Sequence, residues 1–464
     1  MHDRLGRVVR GTAVQVAYSW EVDADGAVRL PHKVLLELVG RVLDELVVAA
    51  GPVAPDIVAG GISCFFHSIV GLDVSARPIT AVLSWADTTS SDAAAVLRRE
   101  IDPSSIHALT GAPIHASYWP ARIAHLRLEE PGIKRWVGFP ELLAELLTGR
   151  LVVSRSMASG TGLLDRARGG WAESLAERVE VGVDSLPPVV ADDEAIGRLS
   201  GAAAARWPQL AGIAWFAPWG DGACGNVGLG ATGPGRAALM VGTSGAERAI
   251  VAGPAPAVPD GLFGYRLGGD TVVGGQLSEG GGVLAWAGRL LGRSLASLER
   301  GAASIDAAGH GLTVLPYTFG ERGLGYHDRA RGSLAGLTPG TDAPSVYRAI
   351  VESVAYGCAA IDDRLSTVTN GPPALIVAGG ALAHSPLLEQ VLADSLGRDI
   401  GIAAGVEASR RGAALLALRG SGLLADFQAV PALPLRTVQA DPDRAGRHEA
   451  ARARQRDLYE ALVA

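Results

Sequence analysis

Between Arg7 and Trp20, the positions Val8, Val9, Thr12, Val14, Val16 and Tyr18 follow the alternation of a strand. Asp23-Ala24-Asp25-Gly26 is turn chemistry, and Leu35 to Ala50 has helical spacing with its charges on one side. Short apolar strands are expected over Asp56 to Ser63 and Ser68 to Val74, the second followed by a turn at Ala76-Arg77-Pro78. From Ser91 to Leu186 the pattern is mainly helices and loops. Pro187-Pro188 breaks it, because neither residue donates a backbone hydrogen bond. Asp193 to Ala205 predicts a short helix, and Ile213 to Ala217 a strand that leads into a turn at Asp221.

From Ala237 the pattern restarts. A strand, a Gly-Thr-Ser turn and a strand over Glu247 to Ala252 are followed by strands at Tyr265 to Gly268 and Thr271 to Val273. A glycine-rich turn then opens a helix at Gly282. This repetition predicts an α/β protein of two related lobes, 1–232 and 233–464, joined near Gly230 to Gly235, with a ligand between them. An Arg/Ala-rich helix is expected over Asp443 to Ala464.

A chain of 464 residues with 48% hydrophobic content supports two large cores, and 5% aromatic content leaves Ala, Val and Leu to fill them. The 61 glycines cluster, as at Gly280-Gly281-Gly282 and Gly379-Gly380, where backbone can approach a phosphate or nucleotide closely. A net charge of −7 without a basic run argues against nucleic acid. Lys33 and Lys134 are the chain's lysines, so arginine carries nearly all positive charge. Cys64, Cys224 and Cys358 lack metal-site spacing and read as small buried fillers in a reduced, cytoplasmic protein. No signal peptide or membrane-spanning stretch is recognised, so a soluble protein is expected.

The candidate chemistry centres on Trp219-Gly220-Asp221-Gly222-Ala223-Cys224-Gly225 and Met240-Val241-Gly242-Thr243-Ser244-Gly245. A lone acid among small residues has the form of a general base, and a Gly-Thr-Ser-Gly turn after an apolar strand that of a phosphate cradle. Each alone is equally an ordinary interdomain turn; together they point to phosphoryl transfer onto a hydroxyl. Walker A chemistry is excluded because neither lysine follows a glycine. Gly228-Leu229-Gly230-Ala231-Thr232-Gly233 matches a dinucleotide fingerprint by letter, but Pro234 and a strand follow where a helix should. Gly242 to Ala246 lacks the last glycine of a nucleophile elbow.

Gly379-Gly380-Ala381-Leu382-Ala383-His384-Ser385-Pro386 with Gln390, Asp394 and Gly397 resembles the adenosine-binding segment of the FGGY family of carbohydrate kinases. Glu407-Ala408-Ser409 with Gly412-Ala413-Ala414, Leu315-Pro316, Gly320-Glu321-Arg322 and Arg331-Gly332 are similar to further segments of that family. So are Gly242-Thr243-Ser244, His67, Trp85-Ala86-Asp87 and Tyr118-Trp119, and the likeness runs from Asp3 to Gly420. The resemblance implies two lobes of the actin and hexokinase (ribonuclease H-like) type, ATP with Mg²⁺, and Asp221 as the base. It also implies phosphate contacts at Gly242, Thr243 and Ser244, and nucleotide contacts at Gly281, Gly380 and, weakly, His384. The metal ligands stay unknown. The implied partner is a small sugar or sugar acid, with a homodimer the one assembly entertained.

His67 is a substrate contact or a core histidine, and Trp85 a wall of the sugar site or packing. Asp87 binds sugar hydroxyls or caps the helix near Ser90. Tyr118 is placed on the sugar side by the same resemblance, and Glu321-Arg322 reads as an internal ion pair. His67-Ser68, Trp85-Ala86-Asp87-Thr88, Ser117 to Pro120 and Ser159 to Asp165 look most like the gluconate kinase branch, which implies conversion of gluconate to 6-phosphogluconate. Thr88 and Thr89 stand where that branch often has Arg, and Arg122 where Lys is usual, making Arg122 the candidate for an anionic substrate. Xylulose and glycerol remain alternative acceptors. The family's opening strand with its Asp-x-Gly-Thr turn has no counterpart, and Asp3 to Gly6 resembles the hairpin that follows it. Either the start is assigned late, or the first strand is lost and the protein is an impaired sugar-binding homologue.

Overall fold

The computed structural model describes residues 1–318 and 320–463. In the first lobe, Ala59–Gly60 pairs in parallel with Ala214–Phe216, and Ser63–Cys64 with Trp219–Gly220. Ala195–Gly197 adds an antiparallel edge to Ala214–Phe216. Helices His32–Ala50 and Phe139–Thr148 pack in one apolar core with these strands, and Ser91–Glu100 and Trp119–Glu129 pack in a second. Leu35, Leu43, Leu142, Leu143, Leu147 and Trp215 share one apolar core there.

Two expected elements differ. Arg7 to Trp20 forms no strand beyond an isolated bridge of His2 with Val8; Thr12 is buried and Val14 and Val16 half-buried, but no strand pairs with the segment. The short helix expected over Asp193 to Ala205 is instead the strand Ala195–Gly197 followed by a helix starting only at Gly201. Ladder bonds to Ala214–Phe216 outweigh the modest helix propensity of that stretch.

The second lobe is built on seven strands: β1 Arg236–Val241, β2 Gly245–Val251, β3 Phe263–Leu267, β4 Asp270–Leu277, β5 Ala374–Ala378, β6 Ile400–Ile402 and β7 Arg436–Val438. Their order is β3-β4-β2-β1-β5-β6-β7, with β1, β5 and β6 parallel. The helix Ala343–Ser366 covers one face and contributes Ile350, Val354, Cys358 and Ile361 to the core, against Leu239, Val273 and Val377. The Arg/Ala-rich C-terminal helix spans Pro442–Leu462, and Ala464 lies outside the described residues. Cys64, Cys224 and Cys358 are all free and buried. Among the described residues no helix is long and apolar enough to cross a membrane.

Asp221 opens a helix, Asp221–Leu229, where the sequence suggested a turn. Its glycines are unfavourable for a helix in isolation but are required by the packing. This helix crosses the helix Ala408–Gly420 so closely that a Cβ on Gly228 would lie 1.8 Å from the Ala408 carbonyl oxygen. A Cβ on Gly412 would lie 1.8 Å from that of Cys224. The letter match at Gly228 to Gly233 is thus the end of a helix, capped by Gly230 at φ 77.

Glu247 on β2 is fully buried beside Asp362. Two ionised carboxylates would both be acceptors, and the Glu247 oxygens find no donor. Asp362 is already held by Arg398 at 2.6 and 2.5 Å. Burial, then the Asp362 charge, pushes Glu247 well above the usual carboxylate range, which favours its protonated form beside Asp362. A folded-state pKa raised above the unfolded one gives stability that is full below the unfolded value and lost as pH climbs through the folded one. Glu247→Gln, always a donor, should remove that loss: melting temperatures of the variant will fall less than wild type as pH is raised.

Candidate active site

Asp221 stands at the N-terminus of its helix, and its carboxylate accepts the Gly222 N–H at 2.7 Å. One side of it is exposed and protein surrounds the others, as at the floor of a cleft. Burial raises its pKa above the ordinary aspartate value, opposed by Arg248, the Gly222 N–H and Arg322. The helix N-terminus also favours the anion.

The Gly242–Ser244 turn lies between β1 and β2. Of the three expected phosphate contacts, Gly242 has its amide already taken, its N–H donating to the Ser244 carbonyl at 2.9 Å. The Gly242 carbonyl accepts from Gly281 at 2.7 Å, and the Thr243 carbonyl from Gly280 and Gly282 at 2.9 and 3.0 Å. These bonds hold the turn against the start of the helix Gly281–Leu290. Among the described residues, no protein partner takes the amides or hydroxyls of Thr243 and Ser244. Gly379, at φ 130, fits only as glycine, since a Cβ would lie 2.2 Å from the Val241 carbonyl oxygen. It delivers exposed Gly380 to the same place, where Ala381 Cβ would lie 2.8 Å from a Cβ on Gly281. His384 ends the short helix Gly380–Ala383 and is exposed.

On the other side of Asp221 is an aromatic cluster drawn from both lobes. His67 donates Nδ1–H to the Gly160 carbonyl at 2.6 Å, which leaves Nε2 as acceptor, and burial holds the ring neutral. His67 packs on Tyr118 with centroids 4.7 Å apart, and the Tyr118 hydroxyl meets that of Tyr265 on β3 at 2.6 Å. His67 and Tyr326 both hold left-handed backbone, at φ 69 and 54, a conformation that non-glycine residues keep only when packing enforces it.

Asp87 does not cap the helix near Ser90, whose N-terminus has no side-chain cap. Its carboxylate accepts from Val28 N at 2.9 Å, Thr89 N at 3.1 Å and Thr89 Oγ1 at 2.5 Å, so its work is to fix the loop that carries Trp85. Arg122 is also redirected. It is fully buried, with Nε on the Ala116 carbonyl at 3.1 Å and its two terminal nitrogens on His67 and Ser84 carbonyls at 2.5 Å each. It ties site loops together, its guanidinium taken up by backbone carbonyls and not left open to an anion.

Glu321 and Arg322 do not pair. Glu321 accepts from Gly325 N at 2.9 Å and from the Tyr459 hydroxyl at 2.7 Å. Arg322 turns the other way, its guanidinium 4.2 Å above the Trp85 ring. Arg248 on β2 is a further site cation that the sequence reading passed over. Gly222 and Gly274 make room for it: a Cβ at either would come within 2.6 Å of its Nε or 2.7 Å of its Cγ. Gly274 lies opposite Arg248 in the ladder of β2 with β4 and Gly222 comes from the Asp221 helix, so no local pattern in the sequence marked this arginine.

Two lobes, with Asp221 at a helix N-terminus and a glycine-bounded turn at Gly242–Ser244, fit a kinase of the actin and hexokinase class. The family models for the N-terminal and C-terminal domains of the FGGY family of carbohydrate kinases match residues 3–228 and 237–421. The chain belongs to that family and is a sugar kinase. It is 29% identical over 392 residues to a gluconokinase of Bacillus subtilis, covering 79% of this chain and 75% of the relative. It is 27% identical over 423 residues to a xylulose kinase of Escherichia coli, covering 88% and 86%. Its fold matches a ligand-bound xylulose kinase from Lactobacillus acidophilus with TM-score 0.91 at 24% identity, covering 100% and 95%. A gluconate kinase from the same organism gives TM-score 0.89 at 24% identity, covering 98% and 94%.

Proposed function

We propose that this kinase transfers the γ-phosphoryl group of ATP to gluconate, giving 6-phosphogluconate. Asp221 is the general base: its carboxylate takes the proton of the attacking hydroxyl, which becomes nucleophilic as its oxygen reaches phosphorus. The Thr243 and Ser244 amides and hydroxyls hold phosphate oxygens, and Gly281 and Gly380 let the nucleoside lie against backbone, with His384 at the rim. Trp85, Tyr118 and His67 wall the acceptor, with Asp87 fixing the Trp85 loop. A Mg²⁺ would be held largely by phosphate oxygens and water. When bound, it would neutralise phosphate charge.

The observation that carries this reading is the open Asp221 carboxylate, with a donor-rich turn after β1 and a polar aromatic cluster nearby. The gluconokinase relative supports the choice of acceptor. ADP release measured over gluconate, xylulose, ribulose and glycerol should give the highest kcat/KM with gluconate. A higher value with xylulose would overturn the acceptor assignment.

A further inference from the structure

Arg322 is 8% exposed, and among the described residues no carboxylate pairs with it. One terminal nitrogen donates to Gln276 Oε1 at 3.1 Å, which fixes the amide so that Gln276 Nε2 is the remaining end. That Nε2, Arg322 Nε and the Tyr326 hydroxyl are all buried without a hydrogen-bond partner. All three can donate; the Tyr326 hydroxyl has the Tyr118 hydroxyl and the Gln276 amide beside it, whereas Arg322 Nε has no acceptor. Burying a guanidinium this way is costly unless an anion arrives to satisfy it. Trp85 stacks on its face and Gln276 holds one edge, so the fork is fixed in direction before any ligand binds.

We propose that Arg322, with Gln276 and Tyr326, is the receptor for the acceptor's carboxylate. A carboxylate offers about four lone-pair sites in the plane that a guanidinium fork matches. Resting on the gluconate reading above, this names the residues that select an acid over a neutral alcohol. It also directs the acceptor: the acid end lies on the Trp85 and Arg322 side, which leaves the distal hydroxyl for Asp221. Arg248 adds positive charge between the two ends, so the cluster of Arg248, Arg322 and Asp221 is one charge short of neutral until the acid binds.

The test compares gluconate with glucitol, which has a CH₂OH in place of the carboxylate, on the wild-type enzyme and on Arg322→Gln and Arg322→Lys. Wild type should favour gluconate in kcat/KM. Arg322→Gln should raise the gluconate KM about 10- to 100-fold, and kcat/KM should fall more for gluconate than for glucitol. Arg322→Lys, which keeps the charge but loses the fork, should fall between. Thermal melting checks that each variant folds; the wild-type comparison stands without any variant. Equal use of gluconate and glucitol by wild type would overturn the receptor while leaving gluconate phosphorylation intact. An unchanged gluconate KM in a folded Arg322→Gln would do the same. Turnover of neutral sugars alone would overturn both.

Discussion

Asp221→Asn should lower kcat by about 10²- to 10⁴-fold, the usual worth of a positioned general base, while the KM for the acceptor changes little. Asn keeps an oxygen to accept the Gly222 N–H, and the helix that starts there is undisturbed. What it loses is the capacity to take a proton. The same carboxylate sets a pH dependence. Burial raises its pKa, so the acid limb of kcat/KM should lie above the range of an ordinary aspartate, with activity falling as pH drops through it. Steady-state kinetics in both substrates across acid pH checks both points. A variant that retains wild-type kcat would remove Asp221 from the proposed mechanism.

The second large effect is on stability. Gly228→Ala and Gly412→Ala each place a methyl 1.8 Å from a backbone carbonyl oxygen of the opposite helix, where no flexible side chain can yield. The helices must separate, which should cost about 3 kcal/mol or more. Gly233→Ala is the control, because a Cβ there meets nothing within 4 Å and its φ is not positive. Urea and thermal melts should show a large loss for the first two and almost none for the third. Since Ser409 Oγ also bonds the Asp221 carbonyl at 3.2 Å, a shifted crossing will carry Asp221 with it and lower turnover before the protein unfolds.

The second-lobe sheet was legible because Arg236–Val241, Gly245–Val251 and their neighbours are apolar runs separated by glycine turns, which is information local to the sequence. Asp221 and the Gly242-Thr243-Ser244 turn stood out for the same reason. The Asp221 helix was missed because its glycines disfavour a helix locally and are explained only by Ala408–Gly420, far along the chain. Arg7 to Trp20 failed in the opposite way: its alternation was genuine but nothing in the fold pairs with it. The arginines are the sharpest case. Arg122 and Arg322 are the same letter with similar burial. One is exhausted on backbone carbonyls and the other left open, and no spacing rule distinguishes them.

The segment around Arg322 is held at both ends by different lobes. Glu321 is anchored by Tyr459 of the C-terminal helix, and Asp328 by Arg98 at 2.8 Å and His115 at 2.9 Å. β3, a strand of the second sheet, likewise gives Tyr265 to Tyr118, and its Gly264 N–H to the Gly111 carbonyl at 2.7 Å. The acceptor pocket is therefore encoded on both sides of the lobe junction. Recombination that exchanged one half of such a gene for that of a relative would split the pocket's inheritance. New acceptor preferences in this lineage are then expected to arise by paired changes across the junction more readily than by trading whole lobes.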